Sequence, residues 1–319
     1  MTEEQEMQLS PVAQAETVPI KQTFIERQGI SPVLFAFISL VVIFMLYQIV
    51  GGVITFLVLG MKPDAENVFG FRVATGIGQL LFILIPTFVL VRFVSFSAKE
   101  YLRVRVPDVR TLILPVVGIF SLQQMLQVYL TFQEKIPIPE PFKSEIQKFK
   151  DVIEEAYKLL INSNTIPELL FVIVVVALIP AIAEEFLFRG LIQRSFEKGL
   201  TPVKGVIITG IIFGAYHLNP FGFVPLAMIG MYLGFLAMRA NSLWVSIAAH
   251  FYNNAFACIA TYLHLDDDFM VTGDPGHLSV AGLLASFFVF TLVFALSTYY
   301  FVKVTRRGSL QSTVQPQLS

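Results

Sequence analysis

The 319-residue sequence has little charge and almost no cysteine. Charged residues make up 14% of the chain and hydrophobic residues 55%, which is far from the balance of soluble globular proteins. The single cysteine, Cys258, excludes an intramolecular disulfide framework and a cysteine-based metal site. A net charge of −1 and the lack of a basic block argue against nucleic acid as a partner. The composition therefore predicts a polytopic membrane protein in contact with the lipid bilayer.

Several familiar sequence signals are also missing. The polar, acidic N-terminus lacks a charged and then apolar leader, so we expect residues 1–31 to form a disordered cytoplasmic tail. No HExxH sequence is present, which excludes an ordinary zincin. No repeat and no soluble domain interrupts the chain. Residues 32–302 are therefore predicted to form one membrane bundle, and residues 303–319 a basic polar tail.

Long apolar runs dominate the rest of the chain, and about 20 apolar residues are needed for a helix to span a bilayer. Eight such runs predict an all-α, polytopic transmembrane bundle. The predicted spans are 32–59, 73–94, 111–131, a fourth beginning at 165 and running through 184, 203–217, 221–237, 243–262 and 278–302. The fifth span is short and ends at His217, so we expect it to stop inside the membrane and to form a cavity wall.

Two features outside the spans bear on their placement. Apolar residues recur at helical spacing from Phe142 to Leu160 and predict an amphipathic helix on the membrane surface or over the bundle, an interpretation we favour over a substrate gate. Most lysines and arginines lie in loops on the side of the two termini, which predicts that both termini are cytoplasmic. We expect a multi-pass protein of a bacterial plasma membrane.

Two adjacent glutamates interrupt the apolar fourth span. A charge near the bilayer centre costs about 3 kcal/mol on insertion scales, so such residues normally face a protein interior and have a task. Glu185 and Arg189 lie four residues apart on one helical face and are predicted to pair, which leaves Glu184 free to point into a cavity. Pro180 deprives the Val176 carbonyl of its helical N–H partner and is predicted to kink the helix.

Two of the four histidines, His217 and His250, also fall within apolar spans. Asn254 follows His250 by four residues and shares its helical face, and Phe213 precedes His217 by one turn. An isolated histidine in a bundle is more often a satisfied core residue than a catalyst. Here, however, five polar residues that are costly to bury lie on three neighbouring spans: Glu184, Glu185, His217, His250 and Asn254. This coincidence favours one functional cluster over independent structural roles.

These residues resemble the motifs of a known family, the CAAX prenyl protease and bacteriocin-processing enzymes, also called the Abi or CPBP family of intramembrane proteases. The motifs are a glutamate pair with an arginine, a phenylalanine four residues before a histidine, and a histidine four residues before an asparagine. In this sequence they are Glu184, Glu185 and Arg189, then Phe213 and His217, then His250 and Asn254. The resemblance covers about residues 170–262, in a core predicted at 166–263.

The resemblance implies an eight-helix endopeptidase that cleaves a peptide or protein substrate in or at the membrane. The matching residues, by role, are Glu184 and His217 for activation of a water, His250 and Asn254 for the oxyanion, and Glu185 and Arg189 for support. Peptide hydrolysis needs such a base near a water and such donors near the developing oxyanion. Depth counting places Glu184 nearer the cytoplasmic end than His217, so a kink, a tilt or a shifted helix boundary must bring them level.

Other readings of the same residues stay open. Glu184, His217 and His250 are candidate ligands of a catalytic Zn²⁺, as in a metalloprotease, although a water activated by Glu184 and His217 without metal is slightly favoured. Buried Glu and His could instead form the relay of a proton- or ion-coupled transporter, but the sequence lacks paired inverted repeats. A non-catalytic membrane scaffold is a third possibility. The substrate and whether it is prenylated do not follow from the sequence.

Overall fold

The computed structural model describes residues 21–265 and 279–314, and every regular element in those two ranges is a helix. We treat helical segments that follow one another without a break as one helix. The helices are α1 (Phe24–Arg27), α2 (Pro32–Leu59), α3 (Val68–Val94), α4 (Ala98–Tyr101), α5 (Arg110–Glu134), α6 (Glu140–Ile161), α7 (Ile166–Gly199), α8 (Pro202–Tyr216), α9 (Phe223–Ala240), α10 (Leu243–Tyr262) and α11 (Val280–Val314). The predicted all-α bundle is confirmed.

Six of these helices are long and apolar enough to cross a membrane: α2, α3, α5, α7, α9 and α11 as far as Arg306. The two remaining predicted spans coincide with α8 and α10, which are not among these six helices. Helix α8 has 15 residues, and at 1.5 Å per residue it reaches only about 22 Å. Helix α10 has 20 residues, and its histidine and two asparagines make it the more polar of the two. The chain is thus a polytopic integral membrane protein, and its two least typical helices position the predicted histidines: His217 directly follows α8, and His250 lies in α10.

Helix α7 begins and bends where its sequence predicts. The Thr165 hydroxyl accepts a hydrogen bond from the Glu168 N–H, and Pro167 lies in the first turn, where its missing N–H costs nothing. The helix then widens to i→i+5 hydrogen bonding over Ile173–Leu178, immediately before Pro180. Such wide turns are rare and occur often at functional sites. The disturbance predicted at Pro180 is therefore a local widening of the helix just ahead of the glutamates.

Close packing between α8 and α9 depends on small residues. A Cβ atom on Gly210 would lie 2.7 Å from the Met231 nitrogen, and one on Gly230 would lie 3.0 Å from the Gly210 Cα. Small residues let membrane helices approach until their backbones touch, which replaces the hydrophobic driving force that lipid does not supply. This contact brings the backbone of α9 at Gly230 within reach of side chains on α7.

Helices extend into both predicted tails where the structure describes them. Residues 21–31 include helix α1, whose Ile25 is buried and packs in the same core as α3, so this part of the predicted disordered segment 1–31 is ordered. Helix α11 continues through Val314 into the predicted polar tail 303–319. Residues 1–20, 315–319 and the acidic loop at 266–278 lie outside the described residues.

The predicted amphipathic helix is present as α6, and one arginine fixes its end. Arg72 of α3 is buried and donates to the Leu160 carbonyl at 3.0 Å, to the Leu159 carbonyl at 2.9 Å, and to the Asn162 carbonyl. It also pairs with Glu168 at 2.8 Å. Because the last carbonyls of a helix have no partner within it, a buried cation there is stabilising. Arg72 thus joins the end of α6 to the start of α7.

Candidate active site

Glu185 and Arg189 form the buried centre of the site, as predicted from their spacing. The Arg189 Nη1 donates to Glu185 Oε1 at 2.7 Å, and neither side chain is exposed. The Arg189 Nη2 donates to the Gly230 carbonyl at 2.9 Å, and its guanidinium carbon lies 4.5 Å from the centre of the Phe213 ring. The arginine therefore holds one glutamate on α7 against both α8 and α9, through a cation–π contact and a charge-assisted hydrogen bond.

His250 of α10 binds the same carboxylate. Its Nδ1 lies 2.9 Å from Glu185 Oε1. A carboxylate engaged by arginine is ionised and can only accept, so Nδ1 carries the proton and donates. The Nε2 of a neutral His250 is then a free acceptor, and it lies 4.0 Å from Glu184 Oε2. Glu185 thus sets both the orientation and the tautomer of the histidine, as a second carboxylate does in other histidine-dependent sites.

Glu184 differs from its neighbour because its carboxylate has little protein to bind. Its side chain is 14% exposed, and Oε2 is buried but accepts no hydrogen bond. Oε1 lies 3.5 Å from the Gln79 Nε2 of α3. The phenols of Tyr47 and Tyr216 lie close enough to Glu184 to interact electrostatically with its carboxylate. The prediction that one glutamate is neutralised and the other left free agrees with these contacts.

His217 lies apart from Glu184 in the described structure. It caps the end of α8, its Nδ1 donates to the Phe213 carbonyl at 2.7 Å, and its ring centre lies 4.7 Å from that of Phe213. The Phe213 ring also lies 6.0 Å from the His250 ring, centre to centre. No hydrogen bond or ion pair links His217 to Glu184 within the residues described. The structure therefore places Phe213 beside both histidines instead of bringing His217 onto the glutamate.

Asn254 also lies next to the site without touching either glutamate. Its Nδ2 is 3.5 Å from the Val176 carbonyl, and its Oδ1 accepts from Asn253 Nδ2 at 3.2 Å. Val176 is the residue whose carbonyl loses its usual helical partner to Pro180. Asn254 thus supplies a donor to α7 at its widened turn, a contact that spacing alone could not reveal.

Three polar residues near Glu184 were not identified from the sequence: Gln79, Tyr47 and Tyr216. Gln79 is a buried amide in an apolar span, and Tyr216 immediately precedes His217. The Tyr216 hydroxyl is buried without a hydrogen-bond partner. The one available signal was a polar residue in an apolar span, and it was not followed for these three. Gln79 and Tyr47 also lie far from the motifs in sequence, so their proximity depends on the packing of α2 and α3.

A second polar network surrounds Glu197 near the C-terminal end of α7. Arg103 donates to both of its carboxylate oxygens, at 3.1 and 2.6 Å, and Gln193 and Arg194 each donate at 2.9 Å. Arg103 also donates to Asn241 at 3.1 Å, in the turn between α9 and α10. The network thus joins the loop before α5 to α7 and to the start of α10, the two helices that carry Glu185 and His250.

The side chains proposed as metal ligands do not converge. Glu184 and His250 approach each other, but His217 is turned to the Phe213 carbonyl, and Glu185 Oε1 is occupied by Arg189 and His250. In the ranges 21–265 and 279–314, no three His, Cys, Asp or Glu side chains are arranged to hold a metal ion. A catalytic zinc site needs about three such ligands, so the observed geometry does not fit one.

Comparison with known families adds one finding. Residues 166–256 match the family described as Rce1-like, type II CAAX prenyl endopeptidase. No curated protein and no solved structure matches the chain. The matched segment runs from the start of α7 into α10 and contains both glutamates, Arg189, both histidines and Asn254, whereas Tyr47 and Gln79 lie outside it. Residues 166–256 of this integral membrane protein are therefore similar to the Rce1-like family of type II CAAX prenyl endopeptidases.

Proposed function

We propose that this protein is an intramembrane endopeptidase in which Glu184 is the general base for an attacking water. One observation carries the proposal. Glu184 Oε2 accepts no hydrogen bond from the described protein and lies 4.0 Å from the His250 Nε2, which is also an acceptor when Nδ1 donates to Glu185. A water 2.8 Å from each atom could donate one O–H to each, because that geometry needs an H–O–H angle of about 90°, near that of water.

Such a water would be ready for attack on a peptide carbonyl. Its two hydrogens would be directed at Glu184 and His250, which leaves its lone pairs free for the carbonyl carbon. As the C–O bond forms, Glu184 accepts a proton from the water and can pass it to the leaving amine. The new oxyanion then needs a donor, for which the described residues offer the unpartnered Tyr216 hydroxyl and the Asn254 side-chain amide.

The roles that the resemblance implies for His217 and Asn254 require both side chains to move when substrate binds. His217 would turn from the Phe213 carbonyl towards Glu184, and Asn254 would release the Val176 carbonyl. Catalytic hydrogen bonds are often long or poorly aligned before substrate binds, so this movement is compatible with the proposal. Glu184 and His250 need no such movement, so the proposal rests on them; in it His250 accepts from the water, whereas the resemblance implies that His250 binds the oxyanion.

The substrate is proposed to be a peptide or protein held in or at the membrane, and a prenyl group is not part of the proposal. We propose that both termini lie on the cytoplasmic side of a bacterial plasma membrane, a proposal that the basic loops support through the positive-inside rule. Comparing the membrane proteomes of cells with and without the protein would identify substrates as uncleaved precursors. Purified protein in liposomes should then cleave a peptide from such a precursor, whereas ion flux without cleavage would favour a transporter. Loss of cleavage on chelation, regained with zinc, would replace direct activation by a metal-dependent reaction.

A further inference from the structure

Gln79 contacts the proposed base from outside the family segment. It lies in α3, is 5% exposed, and places its Nε2 3.5 Å from Glu184 Oε1. The Tyr47 hydroxyl of α2 lies beside the same amide, and the Tyr47 ring packs over Gly78. Burying an amide in an apolar span is costly unless it meets a polar partner, and here the partner is the carboxylate on which the proposed reaction depends.

We propose that Gln79 is a positioning residue, which directs the Glu184 carboxylate so that its second oxygen faces His250. This inference rests on the proposed function. The terminal torsion of glutamate is broad, so an unrestrained carboxylate would rotate among many orientations. A donor on Oε1 restricts this rotation and leaves Oε2 at the observed 4.0 Å from the His250 Nε2. Preorganisation of this kind lowers a barrier without touching the substrate.

This role predicts which kinetic constant changes. Gln79 acts only through Glu184, so its loss should lower kcat and leave KM unchanged. A hydrogen bond to a charged group at this length supports a loss of about tenfold in kcat for Gln79→Met, which keeps the side-chain shape and removes the donor. Gln79→Glu should lower kcat further, because two adjacent carboxyl groups share a proton and the base is then partly neutralised.

The chain offers a matched control in Gln124 of α5. That glutamine is also buried in a membrane helix, but it has no hydrogen-bond contact with Glu184 and neither of its amide atoms has a partner in the structure. Gln124→Met removes the same chemical group from a comparable environment. It should leave kcat and KM unchanged, which separates the loss of a particular hydrogen bond from the general effect of replacing a buried amide.

The experiment measures kcat, KM and thermal unfolding for the full-length parent, Gln79→Met, Gln79→Glu and Gln124→Met, with a membrane peptide that the parent cleaves. The expected order of kcat is parent equal to Gln124→Met, then Gln79→Met, then Gln79→Glu, at constant KM. Parental kcat in Gln79→Met, a change confined to KM, or an equal loss in Gln124→Met would each overturn the inference.

Two further variants keep the test decisive. If Gln79→Met does not fold, Gln79→Asn retains the amide but shortens its reach, and parental kcat in that variant would overturn the inference. Glu184→Gln separates the two proposals: if it cleaves normally, the proposed function fails. If it is inactive while Gln79→Met and Gln79→Asn are as active as the parent, only the positioning role fails.

Discussion

Two glutamates on α7, Glu197 and Glu184, have opposite surroundings. Both oxygens of Glu197 accept charge-assisted or amide hydrogen bonds, two of them from Arg103 and one each from Gln193 and Arg194. Glu184, by contrast, has one long contact and one oxygen that no described group donates to. The two carboxylates share a helix and differ in how fully their charge is satisfied.

The comparison suggests how this helix divides structure from chemistry. A carboxylate whose oxygens are all engaged has little capacity to accept a proton and contributes by holding elements together. A carboxylate with an oxygen that no protein group donates to can accept a proton from a bound water. We therefore assign Glu197 to the junction of α7 and α10, and Glu184 to the reaction.

The largest expected effect follows from removing the base. Glu184→Gln keeps the shape and a hydrogen-bonding group but cannot accept the proton, so we expect cleavage to fall by at least about a hundredfold. Thermal unfolding should be unchanged, since no strong contact of Glu184 is lost. Turnover by the purified variant near the parental rate would remove Glu184 from the chemistry.

The opposite outcome is expected at Glu197. Glu197→Gln leaves Arg103 and Arg194 without their carboxylate, and an uncompensated buried charge can cost about 3 to 5 kcal/mol. The variant should therefore unfold at a lower temperature, while the folded fraction cleaves at a rate close to that of the parent. A stable but inactive Glu197→Gln protein would contradict the division between the two glutamates.

Arg189→Ala tests a residue between these two extremes. It should lower thermal stability by a similar amount, because Glu185 would be left buried without its cation, and activity should fall with it because Glu185 holds His250. Both properties should be measured on the same purified sample. If the variant were as stable as the parent but wholly inactive, Arg189 would belong to the catalytic group.

The smallest effect is expected at Asn254. Asn254→Ala removes the donor to the Val176 carbonyl beside Pro180, a long hydrogen bond whose loss should cost about 1 kcal/mol of stability. Activity should fall by only about tenfold, because the Tyr216 hydroxyl is a second candidate donor to the oxyanion. Unfolding temperature and kcat should be compared in parallel. A loss of about a hundredfold with unchanged stability would instead support the oxyanion role.

Local spacing in the sequence was sufficient to predict the helices and the ion pair between Glu185 and Arg189. The runs of apolar residues predicted the helices, and the i, i+4 rule predicted Glu185 with Arg189, because both depend on neighbours within one helix. The hydrogen bond from His250 to Glu185, the placement of Gln79 and the orientation of His217 depend on how different helices pack. No pattern within one helix carries that information, so these contacts were missed or only assumed.

The most direct test of the central claim is the origin of the oxygen in the new carboxyl group. With enzyme in excess over a membrane peptide in H₂¹⁸O, a single turnover by direct attack of water must place one ¹⁸O in every product carboxylate. Attack by Glu184 itself would form an anhydride, and its hydrolysis at the glutamyl carbon would transfer an unlabelled enzyme oxygen to the product. We predict fully labelled product, and unlabelled product in the first turnover would contradict Glu184 as a general base.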